Sequence, residues 1–180
     1  MTCERLYPSA SIAAYPDVPE APWMTGRLLV VPVPEPLEYR IDPEYPGPPK
    51  PMYQGSVPVM RDDLVDSLRE CGVDNLQLFR AVIRDPRDGS EHSNYKAFNI
   101  VGVVSCADMG QSVLMGTSSS RMIDVDFEGL VIDEARTGGA LLFRLAEAVS
   151  AIVVHDKVKK QVQASGIPGM TFYGPGTWSG

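Results

Sequence analysis

The alternation of apolar and polar residues is most regular after residue 57, where it predicts a strand, a helix and a second strand in succession. Leu64, Leu68 and Cys71 recur at the i, i+4 and i+7 spacing that places them on one face of a helix. Gly72 follows at once, and glycine readily adopts the left-handed conformation that ends many helices. The apolar run Leu76–Ile83 then predicts a strand.

This pattern occurs again 94 residues later: Val57–Leu78 aligns without a gap with Ala151–Phe172. Matched positions agree in kind: Asp62 with Asp156, Leu64 with Val158, Leu68 with Val162, Gly72 with Gly166, Leu78 with Phe172. The aspartates stand where each helix begins and can cap it or complement its dipole. The second copy predicts a strand at Ala151–His155, a helix at Lys157–Ser165 and a strand at Met170–Tyr173. We interpret the echo as a repeated scaffold unit, since no nucleophile, metal ligand or phosphate loop recurs with it.

Further strands are predicted where apolar residues cluster or alternate with polar ones. Tyr95–Ala107 is the longest apolar run and predicts a central strand interrupted at Gly102. Arg121–Phe127 alternates cleanly, which predicts a strand with one wet face. Shorter strands are predicted at Leu130–Ile132 and Leu141–Leu145. Loops are predicted at Arg84–Asn94 and Asp108–Ser120, and a flexible tail, except at Trp178, closes the chain. The predicted fold class is α+β, a mainly antiparallel sheet with two principal helices.

Proline divides the chain into two regions. Thirteen of the sixteen prolines precede residue 60, and proline both fixes φ and removes a backbone donor. This region is therefore limited to short extended pieces, predicted at Arg27–Val33 and Leu37–Ile41, with a loop at Asp42–Tyr53. We expect one domain over residues 1–180, in which a proline-rich extended segment (1–56) wraps a regular core (57–173).

The charge of the chain indicates the class of its partner, and its cysteine content indicates the cellular compartment. The net charge of −7 argues against nucleic acid or an anionic membrane as the ligand, because phosphate binding depends on Lys and Arg. It favours a basic partner. The chain has three cysteines and no CxxC pair, which is typical of a protein with reduced thiols. It has no convincing secretory signal and no apolar run of about 18 residues, so we expect a cytoplasmic protein.

The chain lacks the sequence motifs of common active sites. The two histidines, His92 and His155, lie far apart, and no GxSxG, P-loop, GxGxxG or HExxH motif occurs. Gly110–Gly116 resembles a nucleophile elbow only loosely. Thr137-Gly138-Gly139 could line a phosphate, although a turn is the simpler interpretation. We therefore expect neither catalysis nor a cofactor.

An acidic stretch is the main candidate for an active site in this chain. Asp124, Asp126 and Glu128 resemble the DxD arrangement that holds a metal and a nucleotide sugar. The alternation with Ile123, Val125 and Phe127 favours another interpretation, in which these carboxylates form the solvent-exposed face of a strand.

The chain resembles a family of bacterial immunity proteins, the antidotes of polymorphic toxin systems. This is immunity protein family 11, typified by a myxobacterial protein and formerly catalogued as a domain of unknown function. The resemblance covers about residues 24–173 and rests on segments that share order and spacing: VPVMRDDLVDSLRECGVDNLQLF, YKAFNIVGVVSCADMGQS and LLFRLAEAVSAIVVHDKVKKQVQASGIPGMTF. The family often has Ser or Thr just before the helix, whereas this chain has Arg61 and His155, so the usual helix cap is in question.

The resemblance implies a non-catalytic protein that binds and blocks a cognate toxin encoded by an adjacent gene. The charge suggests that this toxin is a basic nuclease. Two alternatives stay open: a metal-dependent nucleotide-sugar or small-molecule enzyme using Asp124, Asp126 and Glu128, and a scaffold that binds through the proline-rich segment. Within the immunity hypothesis, the candidate interface is acidic: Asp124, Asp126, Glu128, Asp133 and Glu134.

Overall fold

The computed structural model describes residues 11–18, 22–45, 47–115 and 125–180. Its helices are α1 (Asp62–Glu70), α2 (Asp156–Ala164) and a 3₁₀ turn at Glu134–Arg136. Its strands are β1 (Ile12–Ala14), β2 (Leu37–Ile41), β3 (Met52–Tyr53), β4 (Val59–Arg61), β5 (Leu76–Arg84), β6 (Glu91–Ile100), β7 (Val103–Val104), β8 (Val113–Leu114), β9 (Phe127–Gly129), β10 (Leu142–Leu145) and β11 (Ile152–Val154). No helix in these ranges is long and apolar enough to cross a membrane.

The largest sheet has six strands in the order β1-β2-β5-β6-β4-β3. All neighbours in it run antiparallel except β2 and β5, and the crossover between those two carries β3, β4 and α1. Smaller sheets have the orders β11-β10-β7 and β8-β9. The structure confirms the α+β class with mostly antiparallel pairing.

The six-stranded sheet packs apolar residues on both faces. On one face, Tyr39, Ile83 and Ala97 lie in a core with Trp23 and Leu29 from the proline-rich region. The opposite face contributes side chains to a second core that contains both helices, with buried residues Met60, Leu64, Leu68, Phe98, Ile100, Val158 and Val162. The helical stripes predicted from the sequence therefore meet the sheet, as their spacing required.

Each copy of the repeat begins as a strand that leads directly into a helix. Gly72 and Gly166 follow α1 and α2 with φ values of +99° and +67°, which confirms the predicted left-handed stops. The helix starts differ. The His155 side chain accepts a hydrogen bond from the Lys157 N–H at 3.0 Å, whereas Arg61 makes no side-chain cap.

The two copies pack against each other through their helices. The Ser67 and Ser165 hydroxyl oxygens lie 2.9 Å apart, and Gln161 donates to Glu70 at 2.8 Å. The residue further along α1, Glu70, contacts the residue earlier in α2, Gln161, so the two helices pack antiparallel.

Several strand predictions are wrong, and long-range pairing explains each difference. Met170 and Phe172 pack on the helical core as loop residues, without joining a sheet. Residues 91–94, predicted as loop, extend β6 because they pair with β5, where Arg84 meets Glu91. At Leu130–Ile132 the structure shows only an isolated bridge from Ile132 to Ala107. The interruption at Gly102, where φ is +128°, is confirmed.

In the C-terminal region, one strand prediction is tested only in part and the prediction for the tail is wrong. Residues 121–124 of the alternating segment lie outside the described residues, and β9 begins only at Phe127. The tail, predicted to be flexible, runs along β9: Phe127 and Gly180 exchange backbone hydrogen bonds of 2.9 and 3.1 Å. Trp178 anchors it, with its ring 6.4 Å from that of Phe127.

Candidate partner-binding surface

The predicted acidic interface is divided between two elements. Asp124 lies outside the described residues. Asp126 and Glu128 are exposed on either side of the buried Phe127, as the alternation predicts. Within the described residues, neither carboxylate forms an ion pair. As far as the described residues go, both charges are thus available to a cation of a partner.

Asp133 and Glu134 lie at the 3₁₀ turn that follows. Asp133 caps this turn by accepting a hydrogen bond from the Ala135 N–H at 3.1 Å, and it is half-buried. Glu134 is exposed. The Asp133 carboxylate therefore has a structural role of its own, whereas Asp126, Glu128 and Glu134 have none in the described contacts.

The β8–β9 hairpin adds apolar contact area beside these charges. Val113 and Met115 on its outer side are 54% and 51% exposed, and the Met115 N–H donates to the Asp126 carbonyl at 2.9 Å. Sequence reasoning missed both residues, because it treated 108–120 as loop. The available signal was their alternation about Leu114, which packs inward. Exposed apolar groups framed by charge are typical of protein-binding surfaces.

The outer side of α1 is acidic, and part of that charge is neutralised locally. Arg61 donates to Asp63 at 2.8 Å, and this hydrogen bond lowers the pKa of the Asp63 carboxyl. Lys96 lies 2.7 Å from Asp62. Asp66 and Glu70 have no ion pair in the described part of the chain, so they carry the unneutralised negative charge of this helix.

The outer side of α2 is basic. Lys160 lies 2.6 Å from Asp156, and this hydrogen bond lowers the pKa of the Asp156 carboxyl. Lys157 and Lys159 form no ion pairs with described residues. The two copies of the repeat therefore present opposite charges to solvent on similar frames.

A groove of about 300 Å³ is lined by residues of α1, β5 and β6 and by Glu35. Val65 and Leu78 contribute its apolar lining, and charged groups supply the remainder. These are Glu35, Asp62, Asp66, Arg69, Arg80 and Lys96. Acids and bases are balanced, so the groove has no preference for a ligand of one sign.

Arg144 and Glu147 are charged residues that lie buried beneath the surface. Arg144 on β10 donates to the Val149 carbonyl at 2.7 Å, and burial lowers its pKa to about 10. Glu147 accepts a hydrogen bond from the Ser105 hydroxyl at 2.6 Å. The sequence analysis gave neither residue a functional role, although a charge inside the apolar run Leu141–Leu145 was a visible signal.

The structure assigns ordinary roles to several groups considered for chemistry. Ser112, in the elbow-like segment, accepts a hydrogen bond from the Val131 N–H at 2.9 Å. His155 caps α2. Among the described residues, no three of His, Cys, Asp and Glu cluster as metal ligands would.

A family of known proteins matches most of the chain. The family model described as "Immunity protein family (Imm11)" matches residues 8–176. This range includes both copies of the repeat, the β8–β9 hairpin and the acidic residues. No curated protein matches the chain.

Proposed function

The chain belongs to the immunity protein family Imm11, and we propose that it binds a cognate bacterial toxin and neutralises it without catalysis. The observation that carries the proposal is the extent of the family match, which spans the repeat and all three sheets. An antidote of this kind acts inside the cell that makes it, so we propose a cytoplasmic location.

The surface supports recognition through the β8–β9 hairpin. Asp126 and Glu128 stand without ion pairs in the described structure, beside the exposed Val113 and Met115. Apolar groups contribute most of the binding free energy of an interface, and charges guide the approach of the partner. We include Asp133, Glu134 and Asp124 in the proposed contact region, with Asp133 limited by its capping bond.

A basic nuclease is the proposed class of toxin. Such enzymes carry cationic clefts for phosphate, and a protein with a net charge of −7 is attracted to them. A toxin that is acidic, or one that acts on lipid, would contradict this part of the proposal and leave toxin binding intact.

Co-expression tests the function directly. The chain and the product of the adjacent reading frame should co-purify, and cells expressing that product should grow only when the chain is present. A toxin of a different family, expressed with the same chain, is the control for general stress protection. Absence of both rescue and co-purification would overturn the proposal.

A further inference from the structure

The hydrogen bonds of residues 27–30 indicate an extended segment, which side chains of the six-stranded sheet hold in place. The Gln77 amide accepts a hydrogen bond from the Leu29 N–H at 2.7 Å and donates to the Leu29 carbonyl at 3.1 Å. Asn99 donates to the Arg27 carbonyl at 2.7 Å. One amide can reach both backbone groups of a residue when the chain is extended there, because N–H and C=O then point the same way.

The opposite side of this segment has no backbone partner among the described residues. In an extended chain the backbone groups of Leu28 and Val30 point away from those of Arg27 and Leu29. Within the described part of the chain, no group bonds to the backbone of Leu28 or Val30. Their side chains are 57% and 83% exposed, whereas Leu29 is buried. Val103, also partly exposed, lies against Gly26 at the start of the segment.

We infer that residues 28–30 are a docking edge to which an extended segment of the toxin adds as a strand. Addition to a free edge matches backbone donors with acceptors and sets partner side chains at alternate positions. Pro32 and Pro34 lack N–H groups, so the edge is short. The inference rests on the proposed function and adds a second contact, separate from the acidic hairpin.

The charges favour a toxin segment as the occupant over a second copy of this chain. Two copies, each with a net charge of −7, repel each other. Arg27 is exposed and has no ion pair among the described residues. The fitting segment is therefore apolar at the positions facing Leu28 and Val30 and carries a carboxylate opposite Arg27.

A matched pair of substitutions in the full chain tests this edge. Val30→Pro removes the free N–H, and the bonds of Leu29 persist because the residue before proline prefers an extended conformation. Val30→Thr keeps the N–H. The probe is the catalytically inactivated toxin domain encoded next to the chain. We expect Val30→Pro to weaken binding at least about tenfold, comparable with the loss of a buried backbone hydrogen bond, and Val30→Thr to weaken it much less.

Amide hydrogen exchange on the wild-type chain gives a second measurement that needs no substitution. The Leu28 and Val30 amides should exchange fast in the free chain and slow by at least about a hundredfold in the complex. A complex that forms without this protection, or with full affinity for Val30→Pro, overturns the edge and leaves the immunity function standing. Absence of any complex overturns both. Dimerisation of the free chain that Val30→Pro abolishes also overturns the inference, because the occupant is then a second copy.

Discussion

The hydroxyl groups of Ser67 and Ser165 lie within hydrogen-bond distance of each other, 2.9 Å apart, where α1 meets α2. Ser67 is buried, and Ser165 also donates to the Gln161 carbonyl at 3.0 Å. The repeated units are therefore joined by polar groups beside the apolar residues that both helices bury. Because the two residues do not occupy equivalent positions in the repeat, the contact belongs to the packing of the copies and not to either copy alone.

Removing this bond should destabilise the protein modestly. Ser67→Ala should lower the free energy of unfolding by about 0.5–1.5 kcal/mol, since Ser165 keeps its second acceptor. Urea unfolding of both single variants and the double variant measures the coupling. Ser93→Ala, at an exposed position of β6, is the control and should change stability by less than about 0.5 kcal/mol. Strict additivity of the single variants would show that the hydroxyls do not interact.

Charge reversal on the β8–β9 hairpin should slow association with the toxin. Glu128→Lys removes a free carboxylate beside the exposed Val113, so the association rate at low salt should fall about tenfold and become less sensitive to salt. Stopped-flow mixing across a salt series measures both effects. Glu44→Lys makes the same charge change at an exposed loop position away from the hairpin. If both variants respond alike, overall charge guides the toxin and the hairpin has no special part.

The loss of folding stability at acidic pH should depend on Asp85. This buried carboxylate accepts a hydrogen bond from Arg87 Nε at 2.8 Å, which holds its pKa below the ordinary value. Arg87 also donates to the Tyr45 and Gly47 carbonyls, so the pair ties the β5–β6 turn to the proline-rich loop.

A depressed pKa fixes the sign of this dependence. The stabilisation is present above about pH 4, the unfolded value, and is lost as pH falls through the lower folded pKa. The Asp85→Asn variant should have a lower free energy of unfolding than the wild type at neutral pH. Between about pH 5 and 2, its free energy of unfolding should fall less steeply than that of the wild type. Denaturant unfolding across this range measures it, with Asp74→Asn at an exposed position as the control. Parallel profiles for wild type and Asp85→Asn would contradict the assignment.

Replacing the buried Arg144 should show that its charge does not stabilise the fold. Nε and Nη2 of this guanidinium have no partner in the described part of the chain. Arg144→Met keeps most of the volume and should change the free energy of unfolding by less than about 1.5 kcal/mol, or raise it. Arg144→Ala leaves a cavity and should cost about 3 kcal/mol or more. Equal losses for Met and Ala, in thermal or urea unfolding, would mean that the guanidinium itself is required.

The functional surface was only partly visible in the sequence. The alternation around Phe127 correctly placed Asp126 and Glu128 in solvent, because strand periodicity is a local property. Val113 and Met115 were missed, since their exposure depends on the pairing of β8 with β9. The open edge at Leu28 and Val30 was equally hidden. It depends on Gln77, which is distant in the chain and holds Leu29 from one side.

The helices and their ends could be predicted from residues close together in the sequence, whereas the pairing of strands into sheets could not. The stripe of Leu64 and Leu68 and the stop at Gly72 involve positions a few residues apart, so composition and spacing were sufficient. A strand exists only where another edge accepts its backbone groups. Hence Leu76–Arg84 became a strand between β2 and β6, whereas the matching residues Met170 and Phe172 remained loop. The repeat therefore specified two similar helical units, and long-range pairing made their surroundings different.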